Sequence, residues 1–96
     1  MSRRIQGKVV EVGPNGDLIT DIAPKDWRDI PRSSETRVKI DQEHETVGIF
    51  GNDHGQPAMT LIAIADGEGP LKLHLVDDSA SIMLGVRSGA SVEVCW

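Results

Sequence analysis

Asn15, Asp17 and Thr20 bring more polar chemistry into one short turn than a turn requires. They lie in Pro14-Asn15-Gly16-Asp17-Leu18-Ile19-Thr20-Asp21-Ile22, where an Asn-Gly pair between apolar runs predicts a β-hairpin. An amide, a carboxylate and a hydroxyl so placed could hold a polar ligand by hydrogen bonds. Strand alternation divides them: Asp17 and Asp21 share one face, and Thr20 takes the other. The competing reading leaves the carboxylates solvated and lets Thr20 bond locally.

Other constellations are weaker. His44, His54 and His74 lack the paired spacing of a zinc site, so no metal is expected. His44 reads as exposed, and His74 as outward against the shared face of Leu71, Leu73 and Leu75. Cys95, the one cysteine, has no neighbouring His or Lys to activate its thiol; it reads as a packed small hydrophobe, and no catalytic residue is assigned. Asp66-Gly67-Glu68-Gly69 has the glycines of a phosphate loop, but its acids repel phosphate and Pro70 follows instead of a helix. Trp27 and Trp96 are candidate interface anchors, since tryptophan is enriched where binding energy concentrates. The alternative is that each covers an open end of the fold.

The elements that position these residues are short. Ile5 to Val12, Asp17 to Ile22, Thr36 to Ile40, Thr46 to Phe50, Met59 to Ala65, Leu71 to Leu75 and Ser91 to Cys95 read as strands. Glu43-His44-Glu45 is a polar turn or a strand extension, and Pro24 can open one helical turn. Asp78 or Ser79 can cap a short helix that Gly85 ends, with Ile82, Met83, Leu84 and Val86 as its apolar side. About seven strands at regular spacing favour an all-β protein: a small closed barrel with one short helix near the C-terminus.

The totals set bounds. Ninety-six residues make a single domain spanning 1–96. A net charge of −5 and few aromatics oppose nucleic-acid binding. Arg3-Arg4 is the one basic cluster along the chain, at a terminus expected to be mobile. A single cysteine fits a reducing cytoplasm. No run is long enough to cross a bilayer, and the start has no leader-like apolar stretch. Met1 and a strand ending at Val94 read as a whole gene product.

Two blocks carry a family resemblance. The first is Gly7-Lys8-Val9-Val10-Glu11-Val12 running into Gly16-Asp17-Leu18-Ile19-Thr20-Asp21-Ile22. The second is Leu71-Lys72-Leu73, then Ser79-Ala80-Ser81-Ile82-Met83-Leu84-Gly85-Val86, Gly89 and Val92-Glu93-Val94. Together they resemble the C-terminal barrel of the S-adenosylmethionine (SAM) hydroxide adenosyltransferase, chlorinase and fluorinase family, from Gly7 to Val94. The resemblance implies a Greek-key barrel that packs against a larger catalytic domain in a trimer, with the adenosyl group between the two. That larger domain supplies the residues that activate water or halide, and these 96 residues do not contain it.

The departures fall on the ligand positions. The family's Phe before the hairpin glycine is Asn15 here, and its ligand-bonding Asn is Asp17, which keeps an acceptor and loses the amide donors. The serine of the turn before its L-E-I run corresponds approximately to Gly67, followed by Glu68. What survives builds the barrel. The expectation is a stand-alone barrel without catalysis of its own, acting in protein assembly as a homo-oligomer or with a separately encoded catalytic domain. The alternatives are a module binding adenosine- or SAM-like ligands through Asn15, Asp17, Thr20, Gly67 and Glu68, or a subunit of a split SAM-dependent enzyme. No cofactor follows from the residues themselves; SAM or adenosine enters by resemblance. Neither nucleic acid nor membrane is an expected partner.

Overall fold

In the strands Arg4–Val12, Arg37–Ile40, Lys72–Leu75 and Ser91–Cys95, apolar residues alternate with polar ones, which buries one side of a pleated ribbon and wets the other. The computed structural model describes residues 3–96, so the reading of Met1 lies outside the described residues. In chain order the elements are β1 (Arg4–Val12), β2 (Leu18–Thr20), α1 (Pro24–Trp27), β3 (Arg37–Ile40), β4 (His44–Val47) and β5 (Ile49–Phe50). They continue with β6 (Leu61–Ile64), β7 (Lys72–Leu75), α2 (Ala80–Leu84) and β8 (Ser91–Cys95). The eight strands form one sheet in the order β4-β3-β8-β1-β2-β7-β6-β5. Neighbours are antiparallel except β5 and β6, which run parallel. β4 comes round to pack near β6, so the sheet curls into a nearly closed barrel.

Val9, Leu18, Val38, Ile40, Leu73 and Val94 are fully buried in the barrel core. A second, smaller core lies outside the barrel wall. Parallel neighbours cannot be joined by a tight turn, so the chain between β5 and β6 must cross the sheet. On the way, Met59 N donates to Val76 O at 2.8 Å, and the rings of His54 and His74 lie 5.9 Å apart. Ile62, Ile64 and Val76 are buried here with Phe50 packed against them.

The described residues form eight strands where the sequence pattern predicts about seven. The expected strand 46–50 breaks at Gly48, whose φ of +81° is left-handed. Gly48 N donates to Thr36 O at 2.7 Å, β4 starts at His44, and Ile49 and Phe50 pair with β6 instead. The expected apolar side of α2 also divides. Ala80 and Val86 are buried and Leu84 is half-buried, but Ile82 is 80% exposed and Met83 54%. A helix of five residues is too short to turn a wide stripe inward. Nor is the start of the described chain loose: Arg3 N donates to Trp96 O at 2.7 Å and Trp96 N to Arg3 O at 3.0 Å.

Truncation of the barrel's centre tests this core. Leu73→Ala should cost about 2–5 kcal/mol in urea unfolding, the range for a buried leucine that leaves a cavity. A cost under about 1 kcal/mol would show that this wall collapses freely around the gap.

Candidate functional site

The hairpin that carries Asn15 and Asp17 is clamped onto the start of α2. Gly16 N donates to Gly13 O and Gly13 N to Asp17 O, each at 2.9 Å, which closes the turn. Gly16 has φ +84°, and a Cβ there would stand 1.9 Å from Ser79 Oγ. Glycine is therefore required twice over, by the backbone angle and by the close approach. Ser79 Oγ accepts from Ile82 N at 3.2 Å as the helix cap, and Ser81 N donates to Gly16 O at 2.9 Å.

Asp17 turns away from solvent and engages β7. Its Oδ1 lies 2.7 Å from His74 Nδ1 and its Oδ2 3.7 Å from Lys72 Nζ, with 15% of the side chain exposed. Lys72 and His74 share a face of β7 by strand alternation, so one carboxylate spans both. Asn15, His74, Asp77 and Asp78 line an open groove of about 380 Å³ beside this cluster. Among the described residues, no three His, Cys, Asp or Glu groups converge to hold a metal.

The other candidates do not join Asn15 and Asp17. Thr20 is 1% exposed; its Oγ1 donates to Leu71 O at 2.6 Å and accepts from Ile22 N at 3.2 Å. Its donated bond is not local but reaches a carbonyl 51 positions away, and at that burial the hydroxyl is closed to a ligand. Gly67 and Glu68 lie in the β6–β7 turn, beyond the Lys72 end of β7, where Glu68 pairs with Arg28 at 2.9 Å. Between the two groups is a cavity of about 310 Å³ lined by Ile19, Ile64 and Pro70 with Asn52, Asp66 and Lys72 among its polar groups. Lys72 alone touches both places.

The tryptophans differ in role. Trp27 is 6% exposed and its Nε1 donates to Gly69 O at 3.0 Å, so it pins the β6–β7 turn instead of offering an interface. Arg32 stands over its ring at 5.9 Å and donates to Ala65 O at 2.6 Å. Trp96 is half-buried and packs against the barrel core.

Two surfaces escaped the sequence pattern. Val12, Pro14 and Ile82 line a groove of about 320 Å³ where the hairpin meets α2, with exposed Met83 on the same helix. On another wall, Arg4, Lys8, Arg37 and Lys39 project outward from β1 and β3 on either side of β8, although they are far apart in sequence. Within this wall, the Cys95 thiol donates to Glu93 Oε1 at 3.2 Å. Burial, then this bond, raises the Cys95 pKa above its ordinary value. The same thiol, Gln6, Arg4 and Lys39 lower that of Glu93.

No family model matches the chain, and no curated protein matches it in sequence. Among solved structures it is similar to the crystal structure of an uncharacterized conserved protein from Thermotoga maritima, with a TM-score of 0.75 and 24% identity. The match covers 95% of this chain and 35% of that chain. At that identity the likeness shows the fold, a barrel that in the Thermotoga protein belongs to a much longer polypeptide.

Thr20→Val keeps the shape and removes both side-chain bonds. It should cost about 1–3 kcal/mol in denaturant unfolding; no loss would mean the hydroxyl is not part of the scaffold. For Cys95 the sign is set by a raised folded pKa: the stability it lends is full below the unfolded value and drains as pH rises through the folded one. The thiol should accordingly react more slowly with iodoacetamide at neutral pH than an open-chain cysteine peptide does. An equal or faster rate would contradict the raised pKa.

Proposed function

We propose that this chain is an assembly module: a closed Greek-key barrel of the adenosyltransferase C-domain kind, without catalysis of its own, working in a reducing cytoplasm. The observation that carries this reading is the outward apolar group of Val12, Ile82 and Met83 at the clamped junction of hairpin and α2. Large apolar side chains gathered on a rigid surface mark protein contacts. The ligand-type positions argue the same way by their engagements. Asp17 is held by His74 and Lys72, and Thr20 is inside. The Thermotoga likeness, spanning 35% of a longer chain, fits a barrel that works beside further domains. Here a second copy or a separately encoded catalytic domain would fill that place.

The cavity beside Lys72 favours one second reading, a small-molecule module for adenosine- or SAM-like ligands. Apolar walls and a few polar groups are the usual make-up of such sites.

Sedimentation velocity separates the two. The wild type should run heavier than its 10.4 kDa monomer, and Ile82→Asp combined with Met83→Asp should run as a folded monomer. A wild type that stays monomeric at every concentration, while SAM or adenosine shifts the amides of Asn52, Asp66 and Lys72, would select the second reading.

A further inference from the structure

We propose that the outer wall of β1, β8, β3 and β4 docks a second copy of this chain, head to tail, by receiving the acidic turns of that copy's opposite wall. The inference rests on the assembly reading and adds a charged surface to the apolar one of Val12, Ile82 and Met83, with a second copy as the partner.

Charge is segregated across the barrel. The strands of this wall present Arg4, Lys8, Arg37 and Lys39 against three carboxylates, Glu11, Glu45 and Glu93. Arg4 reaches Glu93 at 3.8 Å and Arg37 reaches Glu45 at 2.9 Å, and among the described residues Lys8 and Lys39 make no ion pair. The chain as a whole carries −5, so the remaining surface is strongly acidic. In the sheet order β8 and β6 stand on opposite sides of the barrel. The turns around β5, β6 and β7 carry Asp53, Asp66, Asp77 and Asp78, all exposed and none in an ion pair among the described residues. One wall of the molecule therefore complements the other, and opposite potentials are what steer and register two partners.

Shape agrees with charge. A groove of about 440 Å³, lined by Gln6, Lys39, Gln42, Ser91 and Glu93, runs on the basic wall. The acidic residues belong to the connections around β5, β6 and β7, which can enter such a groove. An interface of ordinary size takes about 800 Å² from each partner, so one wall of a chain with 5585 Å² of surface can supply it. The contact is heterologous, so repetition gives a ring or a filament, not a closed two-fold dimer.

The test uses two charge reversals on the whole chain, each first checked for native circular dichroism. Lys8→Glu with Lys39→Glu alters the basic wall; Asp53→Lys with Asp78→Lys alters the acidic side. Wild type should associate at low salt and dissociate near 1 M salt, where charges are screened beyond about 3 Å. Each double variant alone should associate at least about tenfold more weakly, and an equimolar mixture of the two should reassociate. An oligomer that survives high salt and both reversals, but is dissolved by Ile82→Asp with Met83→Asp, overturns this inference and leaves the assembly reading standing. A monomer under every condition overturns both. A wall that binds a fluorescent oligonucleotide, through Lys8 and Lys39, but never a second copy, overturns it as well.

Discussion

The barrel depends on where β8 is inserted. Its five residues pair with β1 on one side and four of them with β3 on the other, matching Gly7 with Val92 and Ile40 with Val92 at the same point. Without β8 the β3–β4 hairpin would lose its strand-to-strand link to the rest of the sheet. The price is a closure between residues far apart in the sequence, since Arg4 sits opposite Cys95. Loop-closure entropy grows only slowly with length, so the equilibrium cost is modest while folding is slowed. Two inward valines, Val92 and Val94, offset it by burial in the core shared with Val9, Val38 and Ile40.

That insertion also decides what the two faces of the wall can do. Inward positions of β8 are spent on packing, so its outward ones, Ser91, Glu93 and Cys95, are left to meet the neighbours' basic side chains. Glu93 sits opposite both Gln6 and Lys39 and within reach of Arg4, a carboxylate flanked by cations. The opposite wall is built differently. There Phe50 and Val76 pack with Ile62 and Ile64 as a second apolar layer, and the acidic residues are confined to turns.

Strand alternation made the barrel legible, because an apolar residue at every second position has one reading in a half-buried sheet. The Asn15-Gly16 turn was legible too, and Ser79 and Gly85 marked the ends of α2. What stayed hidden were features that tertiary neighbours decide. Asp41 and Gln42 both adopt positive φ in the β3–β4 turn, 55° and 60°, although neither is glycine. Gly48 ends a strand that looks continuous on paper. Of the proposed ligand positions, the parity argument correctly set Thr20 apart from Asp17. It carried no sign that His74, 57 positions away, would take up the Asp17 carboxylate. The basic wall was invisible for the same reason: its four cations sit on two strands separated by much of the chain, and sequence proximity had singled out Arg3-Arg4 instead.

Exposed apolar residues on a loose segment would be poor contacts, because ordering them costs free energy on binding. Ile82 and Met83 avoid that cost. Their helix is capped by Ser79, ended by Gly85 in the left-handed region, and held against the hairpin through Gly16. The absent Cβ of Gly16 lets the Ser79 cap approach, the cap fixes the helix start, and the helix start fixes the direction in which Ile82 projects. Gly16, which touches no partner itself, thus determines how well the surface is prepared for one, and so matters more to that surface than the polar side chains of the hairpin.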